Sequence, residues 1–418
     1  MLKLLSLFSG AGGLDLGLEA ANFKVQLCVE NDKYCQQTLK LNRPRWKIAD
    51  PSDVFKLDPK EMMKQANLRR GELDLLAGGP PCQPFSKAGY GHRGDSLRLR
   101  DPRAKTLNAY TKIVETLLPK VILLENVEGI KFNTKDEGLQ LLRRHLRNIN
   151  KKHGTKYNPT VFTVNAADYG VPQIRKRVFL VASREDLKFL PPAPTHGEDR
   201  EAYISAWDAI GDLENTVTTE DLKPKGTWTD LLGSIPEGEN YLWHTDRGGG
   251  RPIFGFRTRF WSFLLKLSQK KPSWTIPAQP GPSTGPFHWR NRLLSVRELA
   301  RLQTFPDSYK FAGSRLFIQK QIGNAVPPLM AEIIGKAIAT QLLGQRQKSA
   351  DLVYQVRKHT QTARTSRVCA IPKKYVMFVG NHAPHPGIGK GPGALMRKSY
   401  DQTVRPSPRI RHRQVVLR

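Results

Sequence analysis

Cysteine is scarce: the chain has four in 418 residues, at positions 28, 35, 82 and 369. No two have the short spacing of a zinc knuckle, so no metal site is expected, and so few thiols in so long a chain exclude a disulfide framework. Long apolar runs are missing as well. None approaches the ~18 residues of a membrane span. The opening run Leu4-Leu5-Ser6-Leu7-Phe8 is cut short by glycines, which suits a strand better than a signal peptide. A cytoplasmic protein without membrane attachment is therefore expected. Acidic side chains are few, 37 against 67 Lys and Arg, leaving a net charge of +30. So large an excess calls for a polyanionic partner, because each phosphate neutralised releases a condensed counterion. Charge alone does not separate DNA from RNA.

What is present is a rhythm. Short runs of leucine and β-branched residues at 3–8, 25–30, 73–77, 121–126, 161–166 and 177–182 read as buried strands. Leu14, Leu18 and Ala21 lie at helical spacing after the first, and Ile113, Leu117 and Leu118 do so before the fourth. Strand and helix in repetition imply an α/β fold, a doubly wound, mostly parallel sheet. The rhythm stops near Arg184. From there to about Trp289 the chain is rich in Pro, Gly, Trp and Arg, and reads as a second, irregular lobe. Helical patterning returns at 295–303 and 329–343. Four regions follow: a catalytic and cofactor-binding part (1–183), a smaller lobe (184–290), a hinge and return (291–345) and a basic tail (346–418). The tail holds only two acids, Asp351 and Asp401. Its composition predicts disorder, apart from 375–379, which could form a strand or dock on a partner.

Directly after the first strand comes Phe8-Ser9-Gly10-Ala11-Gly12-Gly13. Glycines there allow a tight turn and close approach of a ligand to bare backbone. A dinucleotide fingerprint would place glycine at 15, where Asp15 stands, so a nucleoside ligand without a pyrophosphate fits better. Glu30, closing the second strand, can accept hydrogen bonds from both ribose hydroxyls, and Asp50 can take an adenine amino group.

Gly78-Gly79-Pro80-Pro81-Cys82-Gln83-Pro84-Phe85-Ser86 follows the third strand. A cysteine framed by prolines at a strand's carboxyl end is held in the crevice where such folds bind ligands, although a lone cysteine is more often a small buried hydrophobe. Glu125-Asn126-Val127 ends the fourth strand. A half-buried Glu125 favours its neutral form and can donate a proton. In Gln173-Ile174-Arg175-Lys176-Arg177, Arg175 and Arg177 share one face of an extended segment. They could hold a base carbonyl and orient the glutamate, or form a solvated basic face.

With these motifs in order, the chain resembles a DNA (cytosine-5) methyltransferase of the prokaryotic restriction-modification type. The likeness runs from residue 6 to about 328, through 6–13, 78–86, 125–127, 173–177, 292–306 and Gln321-Ile322-Gly323-Asn324-Ala325-Val326-Pro327. It implies the class I S-adenosylmethionine-dependent methyltransferase fold. S-adenosyl-L-methionine is the implied cofactor, held by Phe8, Gly10, Gly12, Gly13, Glu30, Asp50, Pro80, Asn324 and Val326. It implies double-stranded DNA as substrate and a flipped cytosine as target. Cys82 would add to carbon 6, Glu125 would act at ring nitrogen 3, and Arg177, with Arg175 beside it, would hold the 2-oxo group. Residues 83–103 read as a lid over the phosphates, with Gln83, Ser86, Lys87 and Arg93 as DNA contacts. The lobe at 184–289 resembles a target recognition domain, including Thr275 of the pair Thr275-Ile276. Arg247, Arg251, Arg257 and Arg259 there suit a G·C-containing site. A monomer is expected, with a cognate restriction endonuclease acting on the same site. Two alternatives share the scaffold: an RNA cytosine methyltransferase and a non-catalytic DNA-binding regulator.

Overall fold

The computed structural model describes residues 1–80, 105–127, 137–257, 260–345, 351–356, 358, 363 and 367–380. The elements in chain order begin with β1 (Leu2–Leu7), α1 (Gly13–Ala20), β2 (Phe23–Val29), α2 (Lys33–Asn42), α3 (Pro59–Gln65) and β3 (Leu75–Gly78). Next come α4 (Lys105–Leu117), β4 (Val121–Val127), α5 (Glu137–His153), β5 (Thr160–Asn165) and β6 (Lys176–Ser183). The irregular lobe holds α6 (Ala206–Ile210), followed by α7 (Val296–Leu302), α8 (Arg315–Asn324), α9 (Pro328–Leu343) and α10 (Lys373–Val376). Among the described residues no helix is long and apolar enough to cross a membrane.

All six expected strands form one sheet, ordered β2-β1-β3-β4-β6-β5. The first four run parallel, because helical crossovers join them. Strand β6 is antiparallel to both neighbours: only the short segment 166–175 separates it from β5, too little for a crossover. Alternating side chains feed two cores. Leu4, Leu75, Ala77, Val121 and Leu123 face α1 and α9 on one side, and Leu5, Leu7, Leu76, Ile122 and Leu124 face α3, α4 and α5 on the other. This is the doubly wound, mostly parallel fold. Helix α5 was not expected, though Leu139, Leu142, Leu146 and Ile149 mark its buried stripe at helical spacing. Helix α8 was missed as well.

Local chemistry sets the ends. Helix α7 opens on a capping box: Ser295 accepts from Glu298 N, and Glu298 accepts from Ser295 N at 2.7 Å. Helix α9 starts with Pro328 and stops at Gly344, whose φ of 64° suits glycine.

The composition change near residue 184 marks the end of the sheet, not the start of a second core. Phe189, Ala206, Trp207, Ile210, Leu267, Ile276 and Trp289 all belong to the core on the α1–α9 side. The separate small core gathers Leu231, Leu232, Ile235, Tyr241, Ile253, Leu264 and Phe287. Disorder does not hold for the whole tail. Val353 N and Tyr354 N donate to the buried Glu332 carboxylate on α9, at 2.9 and 3.1 Å. Tyr375 and Phe378 are buried in the small core. The stretch 375–379 is therefore no strand: its first residues end α10, and it docks on the chain's own second lobe.

Candidate active site

The carboxyl ends of β1 to β4 form one rim. Phe8, at φ 58°, donates its N–H to Val29 O at 2.8 Å, tying the turn after β1 to β2. Gly10 N donates to one oxygen of Glu30 and Asp32 N to the other, each at 2.7 Å. Each carboxylate oxygen keeps a second lone pair for another donor. Burial raises the Glu30 pKa, against the lowering effect of these two amides.

The three glycines of the turn differ. A Cβ on Gly13 would stand 2.3 Å from Val326 O, so α1 can start only because that position is bare. Gly12, at φ 77°, is closed in by Leu39 and Tyr309. Gly10, at φ 55°, faces nothing within 4 Å where its Cβ would be. The backbone there is open to a ligand beside an acceptor carboxylate, which fits a nucleoside cofactor. Ala49 N donates to Cys28 O, placing exposed Asp50 beside the end of β2. Exposed Asn324 ends α8, and buried Val326 leads into α9 against the glycine turn. Asp15 lies under this turn, fully buried, and burial pushes its carboxyl up to about 7.

The second half of the rim holds a buried acid–arginine pair. Strand β6 enters the sheet antiparallel, with Arg177 opposite Val127, so its amino end meets the carboxyl end of β4. Glu125 and Arg177 are diagonal neighbours on one face, and Arg177 Nε lies 2.9 Å from Glu125 Oε1. Burial raises the pKa of Glu125, although Arg177 and Arg175 oppose the shift. Glu125 therefore holds a proton more readily than an ordinary carboxyl. Gly79 packs against it: a Cβ there would stand 3.1 Å from Glu125 Oε2. Asn126 Nδ2 donates to Pro80 O at 3.3 Å, fastening the approach to Cys82 onto β4.

Arg175 is fully buried, so it is no solvated basic face. It donates to Gly323 O at 2.7 Å. Around it Gln173 donates to Leu302 O and to Gln303 Oε1, and accepts from Ile276 N. Gln303 donates to Ile322 O at 2.6 Å. One buried polar node thus joins four separate stretches of the chain. Gln173 and Gln303 were assigned no role from sequence, and their positions inside recurring motifs were the available signal. Thr275 is exposed, with its hydroxyl donating to Ile174 O at 2.7 Å beside this node.

Cys82, Gln83, Ser86, Lys87 and Arg93, and with them the expected lid, lie outside the described residues, as does Arg259. Cys28 and Cys35 are buried, and burial pushes both thiols up, which makes them poor nucleophiles.

A parallel-dominant sheet with an acidic acceptor after β2 and a buried acid–arginine pair across β4 and β6 fits a class I methyltransferase domain. Residues 2–340 match the C-5 cytosine-specific DNA methylase family. Type II methyltransferase M.SacI of Streptomyces achromogenes is 35% identical over 373 residues, covering 82% of this chain and 93% of the relative. Type II methyltransferase M.PspPI of a Psychrobacter species is 34% identical over 358 residues, covering 81% and 79%. Among solved structures, one described as a DNA modification methyltransferase encoded within an E. coli prophage superposes with a TM-score of 0.58 at 26% identity, covering 82% of this chain and all of that one. The chain belongs to the C-5 cytosine-specific DNA methylases. It is accordingly a DNA (cytosine-5) methyltransferase, an activity that requires a methyl donor.

Proposed function

We propose that this enzyme methylates one cytosine within a specific duplex DNA sequence, in the cytoplasm and as a monomer. A companion restriction endonuclease cuts the same unmodified site. Residues 184–290 act as the target recognition domain, 1–183 as the catalytic part and 291–345 as the hinge and return. The observation that carries the reading is the buried Glu125–Arg177 pair beside Gly79, three residues before Cys82.

Phe8, Gly10, Gly12, Gly13, Glu30, Asp50, Pro80, Asn324 and Val326 would hold S-adenosyl-L-methionine, which would supply the electrophilic methyl group when bound. Glu30 is suited to the ribose hydroxyls by its remaining lone pairs. Cytosine carbon 5 is too weak a nucleophile unaided. The Cys82 thiolate adds to carbon 6, and Glu125 protonates ring nitrogen 3, which makes carbon 5 enamine-like. Arg177 holds both the 2-oxo group and the Glu125 carboxyl, with Arg175 fixing the segment from behind. After methylation a base takes the carbon-5 proton. The electron pair of that bond re-forms the ring double bond and expels the Cys82 thiolate from carbon 6, and the ring-nitrogen proton returns to Glu125. The base must be extruded first, at a cost of a few kcal/mol, with Gln83, Ser86, Lys87, Arg93 and Thr275 contacting the DNA around it.

Bisulfite sequencing of DNA from cells expressing the protein identifies the methylated site. Cys82→Ala should abolish methylation there while keeping specific binding, and 5-fluorocytosine at the target should trap the wild type covalently. Turnover by the Ala variant would remove Cys82 from the mechanism.

A further inference from the structure

The family match ends at residue 340, yet residues 367–380 return to the second lobe and are built into it. Cys369 N donates to Gly233 O at 2.8 Å, the Tyr375 hydroxyl to Thr227 O at 2.6 Å, and Gly380 N to Pro252 O at 3.0 Å. Lys374 pairs with Asp230. Tyr375 stacks on Trp228 with ring centres 5.2 Å apart, and Phe378 meets the same indole edge-on at 6.0 Å. Trp228 in turn meets Phe254 edge-on at 5.1 Å. Among the described residues, Tyr375 and Phe378 supply two of the four aromatic rings buried in this small core, so the core is incomplete without them.

Phe254 and Pro252 belong to the segment 247–257, which exposes Arg247, Arg251 and Arg257. The segment is held from beneath as well. Ile253 N and Phe254 N donate to His244 O, and the Tyr241 hydroxyl bridges the main chain of Arg257. Arg247 lies over the Phe256 ring at 3.5 Å. The segment's backbone is therefore clamped on both sides, with Arg247 and Arg251 exposed and the Arg257 guanidinium over the Phe260 ring at 5.3 Å.

We infer that residues 367–380 are a specificity-determining element of this enzyme, closing the core of the second lobe and fixing, through Trp228 and Pro252, the arginine-bearing segment that reads the target. The inference rests on the second lobe being the recognition domain. The segment acts by positioning: Tyr375 and Phe378 face inward, 3% exposed each, and touch the core rather than DNA. A loop that reads bases must be held to a fraction of an ångström, and misplacement weakens cognate contacts more than it weakens phosphate contacts.

The test uses the full chain, the duplex identified as its target and a duplex with one changed base pair. In the Tyr375→Ala/Phe378→Ala variant, KM for the target should rise, and discrimination against the changed duplex fall, each by about tenfold or more. S-adenosylmethionine affinity by calorimetry and kcat on saturating target should stay within about threefold of wild type. Tyr375→Phe, which keeps the ring and loses one hydroxyl, should stay near wild type. Unchanged KM and discrimination in the double variant would overturn the inference, since the arginine segment would then stand without the tail. Loss of cofactor binding would overturn it too, because the segment would then support the whole fold. Arg247→Ala/Arg251→Ala, measured in parallel, separates the two readings. If it leaves discrimination intact, the recognition reading itself fails. If it lowers discrimination while the aromatic variant does not, only the role of the tail fails.

Discussion

Glu125 carries two opposing influences. Burial favours its neutral form, while Arg177 at 2.9 Å and the nearby Arg175 favour the carboxylate. Burial is the larger, so the acid is raised yet still held in place by a cation. Such a group donates a proton below its pKa and loses that ability as pH rises through it. Removing the Arg177 charge takes away a lowering influence, so in Arg177→Gln the falling limb of the rate–pH profile should move to higher pH. The maximal single-turnover rate should drop by roughly 10- to 100-fold, because the proposed 2-oxo contact is lost too. A limb that stays in place or moves to lower pH would show that Glu125 is not the titrating acid.

Helices α1 and α9 meet at glycine. A Cβ on Gly17 would stand 2.3 Å from Pro328 O, and one on Gly335 2.8 Å from Ala21 Cβ. This close approach places the start of α9, and with it Val326, against the turn that opens α1. In an exposed helix Gly→Ala gains about 1 kcal/mol from propensity. Here backbone blocks the added methyl, so Gly17→Ala should instead lower stability by about 1–3 kcal/mol in urea unfolding. A more stable variant would mean that the helices can move apart freely. The same closeness explains why α9 is apolar on most of its surface: α1 covers one side, and tail residues Leu352, Tyr354 and Val356 pack against the same core.

Charge acts over the whole molecule. The net +30 includes eight Lys and Arg against Asp401 in 381–418. Deletion of the tail has to begin after Gly380, because 351–356 packs on the α1–α9 core and 367–380 on the small core of the second lobe. A chain ending at Gly380 should bind DNA less tightly at low salt and show a flatter dependence of log K on log salt. The slope should shrink by at most about 7 if all eight cations met phosphates. Fluorescence anisotropy across a salt series measures it. Turnover on saturating DNA and the methylated site should survive; a changed site would place sequence reading in the removed residues.

The sequence by itself determined the strands, because each buried strand is a local apolar run, and the class of chemistry, because the glycine turn, Cys82, Glu125 and the paired arginines lie in short motifs. The charge that calls for a polyanion is a sum over residues and needs no fold. Tertiary structure alone decided how these pieces meet. Arg177 reaches Glu125 only because β6 enters antiparallel, and Arg175 is held by Gly323, 148 residues away. Nothing local marks such pairs. Composition reports where regular elements stop, not which core a side chain joins: Trp207 and Trp289 pack on the first core. In the tail, polar composition outweighed a pair of inward aromatics, Tyr375 and Phe378, whose partner Trp228 lies far upstream. A few buried rings suffice to dock such a segment, because a preformed core supplies the apolar surface that its own composition lacks.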